Sequence, residues 1–500
     1  MRQTRCWVVA GPVALLLAAA SMIVTVLVPA SEAPAAVPAL QCPATGCSAV
    51  LGSADGITVL SETQADLRLL ELQVTTAAVS GTLNVWVLLP TDFVATTRYP
   101  VLYLLHGTSG TASDWVRLGS AEQTSAGQPV IIVMPDVSLN DSGGGWCANW
   151  ADQSSGPANW ETFHIDQLVP WIDANLPTIA ERRGRAIAGL SMGGFCSMSY
   201  AARHPDLFET AAAYSGAPDI AYDPEAQAGA IAIVNATEVG LNRVAPDSIF
   251  GDPATDEVNW QSHDPAALAQ NLADTNLLLY NGNGQPGPFD PNPATDPSSV
   301  ATNFGAEGLE FLIGQDNQLF HNRLDALGIP STWDDYGPGT HTWPYWTRDL
   351  VQSLPAIMKD FAAPLSSPAQ VSYTTTDADY SIYGWSVSMS RTAEEFSALQ
   401  GADAHGFSLS GSGSAVVVTP PDYTPGSTHV VTLSHGDGTT SSATVIADGS
   451  GRLHITVPLG PANPFQEYTV PLVGPNPVQE VSGPVPVGSN VYTTTVAVAS

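Results

Sequence analysis

Basic residues are scarce in this chain: 15 lysines and arginines stand against 47 aspartates and glutamates, a formal net charge of −32. A chain of that sign repels polyanions and offers no basic patch to track a phosphate backbone, which excludes nucleic acid as a partner. Charged residues of both signs make up only 12% of the sequence, and the acidic ones are spread rather than blocked, so the surface is finished with Ser, Thr, Asn, Gln and Gly. Cysteine is sparse too, at five residues, with no C-x-x-C pair and no clustered histidines, which speaks against a zinc site. Cys42 and Cys47 in Q-C-P-A-T-G-C-S can close a short loop, whereas Cys147 and Cys196 stay open as a pair or as two thiols. Long apolar runs are missing after the N-terminus. There, Arg2 and Arg5 precede the apolar stretch Trp7 to Val28 and the small-residue segment S-E-A-P-A-A-V-P-A. This is the layout of a secretory signal peptide over residues 1–36, cut near Ala33 or Ala36, with a retained anchor as the rival reading because the run is long. The mature chain is expected to be secreted or associated with the cell envelope.

A length of 500 residues accommodates two folded units. From residue 57 to 362, apolar runs such as V-L-Y-L-L-H-G, V-I-I-V-M-P-D and R-A-I-A-G-L-S alternate with helix-like stretches such as E-T-F-H-I-D-Q-L-V-P-W-I-D-A-N-L. Near-continuous apolar strands between helices indicate the α/β class, a mostly parallel sheet covered on both faces. The catalytic unit is therefore assigned to residues 37–362 and a Pro/Ser-rich linker to 363–372, a composition that predicts few contacts crossing it. Residues 373–500, rich in Thr, Val, Ser and Gly with turn signals H-G-D-G and D-G-S-G, read as a small all-β sandwich-like domain. Tyr380, Tyr383 and Trp385 in it are either a sugar platform or core.

Gly189-Leu190-Ser191-Met192-Gly193 matches G-x-S-x-G directly after a strand and directly before a helix. In that context the serine occupies a tight strained turn, a nucleophile elbow, and the flanking glycines let neighbouring backbone pass close by. A serine hydroxyl needs a base within hydrogen-bond reach and a third group to hold that base. In the α/β-hydrolase fold the histidine comes last, after the final strand, which selects His341 in G-P-G-T-H-T-W-P-Y-W over His204, His263 and His321. Spacing does not choose the acid among Asp290, Asp296, Glu307, Glu310 and Asp316. The oxyanion hole takes one backbone N–H from the residue after the nucleophile, Met192, and one from the loop after an early strand, where V-L-Y-L-L-H-G ends at His106.

Across roughly residues 60 to 362 the chain resembles the antigen 85 mycolyltransferases, within the esterase D group of α/β hydrolases. The resemblance rests on N-W-E-T-F, G-L-S-M-G-G, Y-N-G-N-G, A-E-G-L-E and G-T-H-T-W-P-Y-W taken together. It implies that the second glutamate of A-E-G-L-E, Glu310, completes a triad with Ser191 and His341, that Thr108 gives the second oxyanion N–H, and that Trp343 and Trp346 line the acyl and sugar approach. His106 and Ser109 stand where the family carries an aspartate and an arginine toward the sugar, and both are assigned to substrate binding. The family's loop disulfide before W-E-T-F is missing, with Cys147 alone in that region.

These readings converge on a secreted serine acyltransferase of mycolyltransferase type. An acyl group would pass from a glycolipid or other ester through an acyl-serine to a sugar hydroxyl, such as trehalose or wall arabinan. No cofactor and no metal is implied. An extracellular carboxylesterase with the same triad is the alternative, and a non-catalytic wall-binding protein ranks third because all three triad members are present. The β domain is the candidate for wall association.

Overall fold

The computed structural model describes residues 51–139, 143–291, 299–436, 438–463 and 492–499. The signal segment 1–36, the Cys42/Cys47 pair and Asp296 lie outside the described residues. None of the described helices is long and apolar enough to cross a membrane.

The first unit is built on a nine-stranded sheet of order β1-β2-β3-β5-β4-β6-β7-β8-β9. Its strands are β1 (Ile57–Gln64), β2 (Leu69–Thr76), β3 (Leu83–Leu88), β4 (Val101–Leu105), β5 (Ile131–Pro135), β6 (Arg185–Leu190), β7 (Thr210–Tyr214), β8 (Asn276–Asn281) and β9 (Thr332–Asp335). Pairing is antiparallel from β1 through β3 to β5 and parallel from β5 onward. Strands β4 to β7 are buried along their whole length, which is why they read as unbroken apolar runs. Alternation then splits each strand between two cores, with Val101, Tyr103 and Leu105 on one face and Leu102 and Leu104 on the other.

Counting helices of seven or more residues, α1 (Val169–Asn175) continues a π-helical turn over Thr162–Leu168, and α2 (Met192–Arg203), α3 (Pro224–Asn235), α4 (Ser299–Leu327) and α5 (Trp343–Ala362) follow. Helix α2 is buried from end to end, as expected for the helix that follows the central strand. Helix α5 buries Trp346, Leu350, Leu354 and Ile357, a stripe at helical spacing, against the second face of the sheet.

The C-terminal unit consists of a six-stranded and a four-stranded antiparallel sheet enclosing their own core. Trp385 lies in that core and Tyr380 packs partly buried against it, so neither forms a sugar platform. The expectation of few contacts across the linker is corrected. Tyr373 Oη donates to the Arg203 carbonyl at 2.6 Å, Asn271 exchanges two hydrogen bonds with the Thr374 backbone, and Tyr383 Oη donates to the Pro205 carbonyl at 2.7 Å. Phe396 joins the core of the first unit. The next strand, β10 (Val371–Thr375), already begins inside the expected linker 363–372, so the two units are joined by a segment that is bonded on both sides rather than by a free spacer.

Candidate active site

Ser191 stands at the junction of β6 and α2 with φ 52° and ψ −123°, a backbone conformation that L-residues avoid and that turns its side chain out of the sheet. The turn is possible because its neighbours lack side chains: a Cβ on Gly189 would come within 2.3 Å of the Gly193 carbonyl oxygen, and one on Gly193 within 2.5 Å of the His106 carbonyl oxygen. His341 Nε2 lies 2.8 Å from Ser191 Oγ, and His341 Nδ1 lies 2.7 Å from Glu310 Oε2. Glu310 projects from α4 and is fully buried; its Oε1 accepts from Ser215 Oγ at 2.9 Å and from the Gly282 N–H at 2.7 Å. With the carboxylate so held, Nδ1 of His341 carries the proton and Nε2 is free to accept from the serine hydroxyl, the arrangement that moves a proton off a nucleophile.

The structure thus brings together Ser191, His341 and Glu310 of the five acid candidates. Glu307 is half-buried on the preceding turn of α4. Asp290 accepts from Tyr345 Oη at 2.6 Å and from the Gly287 N–H at 2.7 Å, and Asp316 is buried beside Asp219 and Asp264. The other histidines are engaged elsewhere: His204 lies 2.7 Å from Glu161, His263 is held by the Asn259 carbonyl, and His321 rests on Trp333. Asp349 is buried behind Glu310. Burial pushes its carboxyl well above the ordinary range, against the pull of Arg348, with the nearby Glu310 adding a smaller push in the same direction.

The loop after β4, expected to supply an oxyanion N–H, passes close to Ser191, since a Cβ on Gly107 would lie 3.1 Å from Ser191 Cβ. Among the described residues, neither the Thr108 N–H nor the Met192 N–H has an acceptor in the protein. The Met192 N–H is in the first turn of α2, where the helix end adds partial positive charge. Ser109 is partly exposed in a left-handed conformation, φ 62°, and its N–H donates to the Gly143 carbonyl at 2.7 Å. His106 differs from the expectation that it faces substrate. Its ring is 0% exposed, Nε2 accepts from the Val137 N–H at 2.9 Å and Nδ1 donates to the Gly107 carbonyl at 2.7 Å, so it is a brace under the loop. Trp343 is partly buried edge-on to Trp115 and Trp346, while Trp346 is buried, packs on the His341 ring and donates from Nε1 to Ser215 Oγ at 3.2 Å.

One residue escaped the sequence reading, and one alternative it left open, the state of Cys147 and Cys196, is decided. Ser215, in the Y-S-G that ends β7, links Glu310 to Trp346; its position at the end of a central strand was the available signal. Cys147 and Cys196 form a disulfide, which ties the loop over Met192 to the nucleophile helix five residues after Ser191. Among the described residues, no group of three His, Cys, Asp or Glu side chains could hold a metal ion. A cleft of about 600 Å³ lies between α3 and α4, lined by Ile220, Ala226, Ile233, Phe311 and Leu319 and reaching Gly282 next to Glu310.

The Esterase family model matches residues 76–357. Esterase Rv1288 of Mycobacterium tuberculosis is 35% identical over 301 residues, 59% of this chain and 60% of its own length. The diacylglycerol acyltransferase/mycolyltransferase Ag85B of Mycobacterium leprae is 29% identical over 274 residues, 53% of this chain and 77% of its own. A crystal structure of Mycobacterium tuberculosis MPT51 is 24% identical and covers 58% of this chain and 97% of that one, with a TM-score of 0.45. The chain therefore spans 60% of the length of the first of these relatives.

Proposed function

Because this chain belongs to the Esterase family, we propose that it is a serine acyltransferase that takes an acyl group from an ester and hands it to a sugar hydroxyl through an acyl-Ser191 intermediate. The observation that carries the reading is the unbroken chain of hydrogen bonds from Ser191 Oγ through His341 to Glu310, 2.8 and 2.7 Å. Ser191 Oγ attacks the ester carbonyl carbon while His341 Nε2 takes its proton, and the carbonyl oxygen, now an anion, is met by the N–H groups of Thr108 and Met192. Collapse of the tetrahedral centre breaks the bond to the leaving alcohol, which receives the proton from His341. A sugar hydroxyl then gives its proton to His341 and attacks the acyl carbon, and collapse of this second tetrahedral centre breaks the acyl–Oγ bond as His341 returns the proton to Ser191 Oγ. Glu310 stabilises the imidazolium in both halves, and the cleft beside it is apolar enough to take the acyl chain. Export through residues 1–36 is part of the proposal.

The second reading is a carboxylesterase, in which water takes the place of the sugar; the 35% identity to a protein named as an esterase supports it. Product analysis separates the two. A long-chain ester is incubated with the protein with and without trehalose or an arabinan oligosaccharide. Acylated sugar supports transfer, and free acid alone under both conditions supports hydrolysis.

A further inference from the structure

Strands β2 and β3 carry a partly exposed polar patch on the face turned away from the main core. On β2, Leu70, Leu72 and Val74 point to the main core, so Glu71 and Gln73 point the opposite way; on β3, Val85 and Val87 do the same, leaving Asn84 and Trp86 on that opposite face. The cross-strand register sets Glu71 opposite Trp86 and Gln73 opposite Asn84. The segment Thr111–Arg117 rises beside them as a wall and encloses a groove of about 540 Å³. Its polar groups are held in place. Asp136 accepts from the Asn84 side chain and from the Ala112 N–H, which joins floor to wall, and Asp114 is fixed by the Thr111 N–H and hydroxyl. The Arg117 guanidinium sits 5.1 Å from the Trp86 ring and, like Glu71, makes no ion pair among the described residues.

We infer that this groove is a glycan subsite, which holds a neutral oligosaccharide that continues from the sugar at Ser191; the inference rests on the reading of Ser191 as the nucleophile of an esterase-family site. Planar amide and carboxylate groups on rigid strands and a guanidinium on the wall, with hydroxyls between them, match the vicinal hydroxyls of sugars, while the buried Trp86 ring backs the floor beneath Arg117. The groove carries two carboxylates against one guanidinium in a chain of net charge −32, so it disfavours acidic polymers. It is also in reach of the site. Gly107 abuts Ser191, and the four residue steps from Gly107 to Thr111 span at most about 14 Å, further than one sugar ring covers. The catalytic unit thus has its own grip on a polymeric sugar, independent of the β domain.

The test is calorimetric titration of the full-length Ser191→Ala protein with neutral hexasaccharides of arabinose, xylose and glucose, and with hexagalacturonate. At least one neutral hexasaccharide is expected to bind saturably and more tightly than hexagalacturonate. Arg117→Ala and Glu71→Gln, in the same background, should each weaken that binding about tenfold, and Arg117→Lys, which keeps the charge without the planar fork, should weaken it several-fold. Absence of binding by all three neutral sugars, stronger binding of hexagalacturonate, or affinities unmoved by the groove variants would overturn the inference. Because the titration uses a protein without the Ser191 hydroxyl, its result is separate from that of labelling the unaltered chain with an active-site serine probe, which bears on the esterase reading alone.

Discussion

His341 Nδ1 and Glu310 Oε2 lie 2.7 Å apart, one on the loop before α5 and the other inside α4. The second carboxylate oxygen of Glu310 is anchored by Ser215 and Gly282, so the helix presents a fixed acceptor rather than a mobile side chain. A fixed acceptor is what keeps the imidazole in the tautomer that can take a proton from Ser191.

Glu310→Gln removes the charge and keeps the shape, and kcat on a small chromogenic ester should fall by about three orders of magnitude or more. Glu307→Gln, one turn away and half-buried, should stay within about twofold of the parent. Equal losses in the two variants would remove Glu310 from the triad.

His106 braces the oxyanion loop from below with both ring nitrogens bonded to backbone. His106→Asp puts a carboxylate in a site with no exposure and leaves the Val137 N–H and the Gly107 carbonyl without their partners. The expected loss is about 3 kcal/mol in chemical denaturation. A variant as stable as the parent would contradict the bracing role.

Much of this architecture was legible in the sequence. The runs V-L-Y-L-L-H-G and R-A-I-A-G-L-S announced buried parallel strands because every residue in them except His106 and Arg185 is apolar or small, and the glycines around Ser191 announced a turn that only they can make. Glu310 was not legible from spacing, since an acid on a long helix has no strand end to mark it, and the resemblance to antigen 85 chose it. His106 was misplaced for a related reason: the end of a strand tells where the backbone goes, not which way a ring turns. The seam between the two units was hidden because it is made by Tyr373, Tyr383 and Asn271, whose partners are backbone groups far away in sequence.

Tyr373 rests on the last turn of α2, whereas Ser191 precedes its first, and the helix's 12 residues hold them about 18 Å apart. A chain ending at Ala363 loses the Tyr373, Thr374 and Tyr383 bonds and the Phe396 ring. Its melting temperature should drop by roughly 5 °C or more, while kcat on a small ester stays within about threefold. Unchanged melting would show that the seam contributes nothing to stability.

Asp219, Asp264 and Asp316 cluster beside the cleft. Burial, the leading cause in each, pushes Asp264 up to about 7 and Asp219 up to about 9, and holds Asp316 well above the ordinary carboxyl range. The same groups ionise near 3.8 in the unfolded chain, so between that value and the raised ones the folded protein keeps protons the unfolded chain has released. The stability tied to those protons is complete below about pH 4 and is lost as the pH rises through 7 to 9. Melting temperature should therefore fall from about pH 5 to about pH 9. Asp219→Asn keeps an acceptor for the Tyr222 and Asp223 N–H groups and should reduce that slope by about a third. A parent whose melting is flat over this range would contradict the shared burial of the three carboxyls.

The most direct measurement is the mass of the protein quenched within one turnover of a slowly deacylating chromogenic ester. An acyl adduct on Ser191, formed with a burst of about one alcohol per chain and absent in Ser191→Ala, is the expected result. An adduct on another residue, or steady turnover by Ser191→Ala at the rate of the parent, would contradict the account.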